Sequence, residues 1–143
     1  PICFDLAAYF EKLRQEAALR GSSLTATIAG RSEVHVRPNA FTRLLGNIAG
    51  NAFRYAKNVA VSAVNANGTL TITIDDDGPG IPLQKREEVF KPFVRLDAAR
   101  NQDDSGTGLG LAIARDIARS HGGDIALGDS PMGGLRAVVK VPA

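Results

Sequence analysis

Three clusters have residue types and spacing that can do chemistry: Asp75-Asp76-Asp77-Gly78-Pro79-Gly80-Ile81, Gly106-Thr107-Gly108-Leu109-Gly110-Leu111, and the pair Asn47 and Asn51. Glycines at alternate positions, running straight into an apolar-periodic helix, let a backbone come close to phosphates and then offer them the unpaired N–H groups of a helix N-terminus. An ionised carboxylate at a strand's end, followed by two glycines, only accepts hydrogen bonds. It can therefore select a base that donates, such as adenine through its exocyclic amine. Asn47 and Asn51 share one helix face, and a carboxamide oxygen is a hard neutral ligand suited to Mg²⁺, an ion that keeps several waters and takes the rest of its shell from phosphates. Arg54, about one turn further on, would face the same phosphates. Together these residues point to a nucleotide pocket.

Each cluster also has a plainer reading. Asp75 to Gly78 reads as an acidic strand end entering a turn, and Asn47 and Asn51 read as surface amides. Consecutive acids do not match the alternating pattern of a calcium loop. The Gly106 segment lacks the Gly-Lys-Ser/Thr ending of a phosphate loop and follows no strand of a βαβ unit, and no Val-Ala-Ile-Lys, His-Arg-Asp or Asp-Phe-Gly set marks an ordinary protein kinase.

The elements that must position these residues fit one domain, residues 1–143. A chain of 143 residues, 44% hydrophobic, buries one substantial core. Its 17 basic and 15 acidic residues are interspersed, which argues against a nucleic-acid footprint. The single Cys3 suits a reducing, cytoplasmic setting, and no apolar run approaches the roughly 20 residues of a membrane helix. Because it starts at Pro1 and enters a helix almost at once, the chain is expected to be part of a longer protein, with a membrane-bound portion possible upstream.

Leu6, Phe10, Leu13 and Ala17 predict an amphipathic helix from an Asp5 N-cap to a Gly21 stop. Ser23–Ile28 and Glu33–Arg37 alternate and read as neighbouring strands about Gly30, and Pro38 opens the helix Phe41–Tyr55. Val59–Val64 and Thr69–Ile74 read as a hairpin about Asn67-Gly68. A short helical piece runs from Pro82 to Phe90, and Lys91–Thr107 is polar and lacks periodicity, a type of long connection that is functional or disordered. Leu109–Ser120 is helical up to Gly122-Gly123, and Asp124–Leu127 and Leu135–Val141 are strands about Gly133-Gly134. Neither histidine suggests a phosphoacceptor: His35 faces away from Val34 and Val36 on a strand, and His121 ends a helix, where a cation suits the dipole.

In order, an N box (Asn47–Tyr55), a first glycine box (Asp76–Ile81), an F box (Phe90-Lys91-Pro92-Phe93-Val94-Arg95) and a second glycine box (Gly106–Leu111) resemble the catalytic ATP-binding domain of bacterial sensor histidine kinases over essentially the whole chain. Within that family the chain looks most similar to osmosensor-like membrane kinases of proteobacteria. The resemblance implies an α/β (α+β) two-layer sandwich, with three helices on a mixed five-stranded sheet and a mobile lid over ATP. It implies Asp76 as the adenine-binding acid, Asn51 as the Mg²⁺ ligand with Asn47 beside it, Arg54, Arg95 and, more weakly, Arg100 at the phosphates, and Tyr55 on the base or ribose side. Gly78, Gly80 and Ile81 belong to the adenine box, and Gly106, Thr107, Gly108, Leu109, Gly110 and Leu111 to the lid's hinge and phosphate-facing turn. Phe90 and Phe93 fit lid-anchoring core equally well.

The related gyrase-, chaperone- and mismatch-repair-type ATPases carry a glutamate where Asn47 stands. An amide takes no proton at neutral pH, so the resemblance implies slow hydrolysis and transfer to a histidine on a separate dimerisation domain, with a response regulator downstream. No His-Glu or His-Asp motif occurs here, so the isolated chain is expected to be monomeric. The full-length protein is expected in the bacterial inner membrane with this domain in the cytoplasm. An anti-sigma-factor-type serine kinase and a nucleotide-binding module without transfer remain as alternatives.

Overall fold

The computed structural model describes residues 2–87, 90 and 110–142. Strand β1 (Ile2–Asp5) pairs antiparallel with β3 (Glu33–Val36), Phe4 opposite Val34, in a two-stranded ribbon. The main sheet is mixed, in the order β2 (Ser23–Gly30), β4 (Asn58–Ala66), β5 (Thr69–Asp76), β7 (Leu135–Pro142), β6 (Asp124–Asp129). Only β2 and β4 run parallel. Their connection passes through β3 and helix α2 (Pro38–Tyr55), since a parallel pair requires a long crossover.

Helix α1 (Leu6–Leu19) starts where Asp5 Oδ1 accepts the Ala8 N–H at 3.2 Å and ends before Gly21, whose φ of +75° suits the left-handed stop. It buries the four apolar residues that its spacing singles out. Helix α2 carries Pro38 in its first turn, where a missing N–H costs nothing, and buries Phe41, Leu44, Leu45, Ile48, Ala49 and Ala52. Helix α3 (Gly110–Ser120) buries Ala112, Ala114 and Ala118 and stops before Gly122, at φ +88°. Asn67 (φ 56°) and Gly68 (φ +76°) both adopt the left-handed conformation that a two-residue hairpin turn needs. Alternation along the strands sends Leu70, Ile72 and Ile74 of β5, Val59, Val61 and Ala63 of β4 and Ala137, Val139 and Val141 of β7 into one core with the helices. The predicted two-layer sandwich of three helices on a mixed five-stranded sheet is present.

The structure differs from the sequence reading at two places. The strands on either side of Gly30 do not pair: β2 joins β4, with Ser23 opposite Asn58, while β3 turns to β1, a strand the periodicity did not reveal. Alternation identifies which face is buried and is silent about the neighbour. His121, at the end of α3, also joins the two helices: the Arg37 N–H donates to its Nε2 at 3.3 Å and its Nδ1 lies 2.9 Å from the Ile117 carbonyl.

Phe41 is fully buried, with its ring 5.6 Å from that of Phe4 and 5.8 Å from that of His121, and so ties the ribbon to both helices. Phe41→Ala should cost about 3–5 kcal/mol, read as a lower urea midpoint.

Candidate functional site

The three consecutive acids do three different things: alternation sends Asp75 and Asp76, at the end of β5, to opposite faces, and Asp77 follows the strand. Asp76 continues the Leu70-Ile72-Ile74 row and lies at its end, 2% exposed. A buried carboxylate is costly unless hydrogen-bonded, and here Oδ1 accepts the Gly78 and Leu135 N–H groups, each at 3.0 Å. Asp75, on the opposite face, forms a two-pronged pair with Arg136 at 2.8 and 3.0 Å. Asp77 Oδ1 accepts the Lys57 and Asn58 N–H groups at 3.0 and 3.1 Å, and its Oδ2 accepts from Asn58 Nδ2 at 2.8 Å.

Glycines permit the approach to Asp76. A Cβ on Gly134 would stand 2.1 Å from Asp76 Oδ1 and 2.6 Å from the Gly78 nitrogen. One on Gly78 would stand 2.9 Å from the Tyr55 carbonyl oxygen, which sets the first glycine box against the end of α2. Gly80 has a φ of +72°. Ile81 is buried with Leu135 against Leu111 and Leu127.

Along α2, Asn47 and Asn51 are half-buried, Arg54 is exposed and Tyr55 is half-buried. Asn47 Nδ2 donates to the Gly110 carbonyl at 3.2 Å, so the N box touches the first residue of α3. The fold thus joins three distant parts of the sequence: α2 meets α3 through Asn47, α2 meets the first glycine box through Tyr55, and that box meets β7 through Asp76. Arg95, Arg100, Gly106, Thr107, Gly108 and Leu109, together with Phe93 and the expected lid, lie outside the described residues. Phe90 is described and buried. Among the described residues no group of three or more His, Cys, Asp or Glu is gathered. A hard cation would have to take most of its shell from phosphates and water, which fits an amide donor such as Asn51.

Gly134, Leu135 and Arg115 were not singled out from the sequence. The Gly133-Gly134 pair signals a turn, but that Gly134 leaves room for Asp76 follows only from the pairing of β5 with β7. A cavity of about 700 Å³ beside β6, lined by Leu83, Phe90, Arg115, Leu127 and Val138 among others, includes none of Asn47, Asn51, Tyr55 or Asp76.

Residues 36–143 match the family of histidine kinase-, DNA gyrase B- and HSP90-like ATPases, and the chain belongs to that family. The sensor histidine kinase CpxA of Escherichia coli is 45% identical over 130 residues, which is 89% of this chain and 28% of CpxA. The ATP-binding domain of PrrB from Mycobacterium tuberculosis superposes with a TM-score of 0.77 at 27% identity, covering 99% of this chain and 96% of that one. The histidine kinase domain of the E. coli osmosensor EnvZ gives 0.71 at 34% identity, over 99% and 88%. The chain is thus a domain of the sensor histidine kinase type, and it spans little more than a quarter of the length of CpxA. Identity to CpxA exceeds that to the osmosensor.

Two outcomes follow from the geometry. Gly134→Ala should displace Asp76 and lower stability by roughly 1–3 kcal/mol, the penalty of leaving buried polar groups poorly paired; a urea titration checks it. For Asp77, the Asn58 backbone and side chain, followed by the Lys57 N–H, hold the carboxyl below its ordinary value of 3.8. A carboxyl depressed in the folded state stabilises above its unfolded value, and this contribution is lost as pH falls through the lower folded value. The wild type should therefore lose more stability than Asp77→Asn between roughly pH 5 and pH 3, the window set by that carboxyl, in paired urea titrations.

Proposed function

We propose that this chain binds Mg-ATP and delivers the γ-phosphate to a histidine on a separate dimerisation domain of a longer sensor kinase, from which a response regulator is then phosphorylated. The observation that carries the reading is Asp76, a buried carboxylate at the mouth of the core, oriented by two backbone N–H groups where a base can be read through its amine.

Each residue has a role in this reading. Asp76 accepts from the adenine amine, with Gly78, Gly80 and Ile81 shaping that end of the pocket and Tyr55 flanking the base or ribose. Asn51 holds Mg²⁺ with Asn47 beside it, and the bound ion neutralises charge on the phosphates. Arg54 supplies positive charge from the exposed edge of α2. The N–H groups opening α3 at Gly110 and Leu111 face the phosphates, and Gly106, Thr107, Gly108, Leu109, Arg95 and Arg100 complete the phosphate side. Phosphoryl transfer asks mainly for positioning and charge neutralisation.

Slow hydrolysis is part of the same reading. The Asn47 amide donates to the Gly110 carbonyl and has no basic lone pair for a proton, so nothing at that position activates water. The acceptor must be brought by a partner domain. The full-length protein is placed in the bacterial inner membrane, with this domain on the cytoplasmic side. No helix among the described residues is long and apolar enough to cross a membrane.

Titration calorimetry with a non-hydrolysable ATP analogue and Mg²⁺ should show binding. Asp76→Asn keeps an oxygen for the two backbone N–H groups but turns a donor toward the base amine. It should weaken binding by about 1.5–3 kcal/mol, tenfold or more. Absence of binding in the wild type would sink the reading. Incubation with labelled ATP and the dimerisation domain should yield a phosphate that is stable in base and labile in acid, as on histidine, and an acid-stable product would point to the serine-kinase alternative instead.

A further inference from the structure

Arg115 lies within α3 with its side chain only 16% exposed, and it joins three parts of the chain. Its Nη1 donates to both carboxylate oxygens of Glu87 at 2.7 and 3.3 Å, and its Nε donates to Asp124 Oδ1 at 3.0 Å. Its guanidinium carbon stands 4.3 Å from the centre of the Phe90 ring, within cation–π range. Glu87 and Phe90 belong to the segment that leaves the first glycine box, which Arg86 further ties down by donating to the Ile81 carbonyl at 2.9 Å and pairing with Asp129. Asp124 opens β6 and also accepts the Ile125 N–H at 2.8 Å and Arg119 Nη2 at 3.3 Å. Burial alone would push the Asp124 carboxyl up, but these hydrogen bonds, Arg115 foremost, bring it below its ordinary value.

At its N-terminal end α3 is held by Asn47, through the Gly110 carbonyl. Arg115 is five residues from that point, roughly 7.5 Å along the axis, and holds one flank of a helix that is otherwise fastened by its buried Ala112, Ala114 and Ala118 and, at its far end, by Arg37 on Ser120 and His121. Released on that flank, the helix tilts about the contacts that remain. The unpaired N–H groups of its first turn then swing by a fraction of this distance, enough to spoil hydrogen bonds whose useful range is a few tenths of an ångström. Asp76 is oriented by the backbone N–H groups of Gly78 and Leu135, so a tilt of α3 reaches it only indirectly, through the packing of Leu111 on Leu135.

We propose that Arg115 is a positioning residue for the phosphates of the nucleotide, setting the angle of α3 through Glu87, Asp124 and Phe90 without touching the nucleotide itself. The inference rests on the nucleotide-binding reading and predicts an effect that discriminates between ligands. A merely structural role would lower stability and weaken all ligands alike, whereas a role in aiming α3 weakens ligands only in proportion to their phosphates.

The test uses the 143-residue chain as wild type, Arg115→Met, Arg115→Lys and Glu87→Gln, with a non-hydrolysable ATP analogue plus Mg²⁺ titrated by calorimetry and adenosine by NMR shift. Arg115→Met should weaken the triphosphate analogue roughly tenfold and leave adenosine unchanged. Arg115→Lys keeps the charge but loses the planar fork and the stack, so it should fall between the two. Glu87→Gln, altered at a largely exposed side chain, should show the same selectivity to a smaller degree and carries the test with Arg115→Lys if Arg115→Met does not fold. Equal weakening of both ligands, or no change for the analogue, overturns the proposal. A wild type that binds neither ligand overturns the nucleotide reading beneath it, a result distinct from both.

Discussion

The rest of the site depends on keeping one carboxylate hydrogen-bonded and oriented inside the core. Asp76 ends a row of apolar side chains on β5, where an unpaired charge would be driven to neutralise or to pull the strand open. Two backbone N–H groups converge on its Oδ1, one from the turn that follows it and one from the start of β7. Those donors arrive only because the backbone comes closer than a side chain would allow, at Gly78 against α2 and at Gly134 against Asp76 itself. The hairpin turn from Ser130 to Gly134, where the Ser130 N–H donates to the Gly134 carbonyl and the Gly133 N–H to the Ser130 carbonyl, each at 3.0 Å, thus holds Asp76 as much as the glycine box does.

Helix α2 gives this acid a second wall. Its buried stripe fastens it to the sheet, and the border of that stripe carries Asn47, Asn51 and Arg54. Contacts with α3 occur at both ends of the shared interface: Asn47 on Gly110 near the site, and Arg37 with Ser120 and His121 at the far end. The two helices are therefore joined at both ends of their interface, and the other flank of α3 is held separately. That flank is where Arg115, Glu87 and Asp124 meet. Isolated exposed ion pairs contribute little, about 0–1 kcal/mol, so the weight of this cluster lies in its planar, partly buried and stacked geometry.

The same arrangement fits the slow hydrolysis proposed for this domain. An amide at Asn47, donating to the Gly110 carbonyl, is no base, and in the proposed reading the carboxylate of Asp76 receives the nucleotide. On that reading, binding and positioning reside in this chain and the nucleophile comes from elsewhere. Family membership and the likeness to CpxA over 89% of the chain bear on the ATP-binding part of it.

By itself the sequence determined the helices and every strand but β1. Helical spacing marked the core stripes of α1 and α2, Asn67-Gly68 marked the hairpin, and alternation marked Thr69–Ile74 as a strand, because these are local properties of 3.6- and 2-residue periods. The pairing partners were decided only by the tertiary structure. That β2 lies beside β4 and not β3, that Gly134 faces Asp76, and that Arg115 spans Glu87, Phe90 and Asp124 are contacts between residues far apart in the chain. Period and propensity describe a residue's surroundings within a turn or a strand. Which distant backbone fits against a given face is settled by close packing of the whole core, and no local pattern encodes that choice.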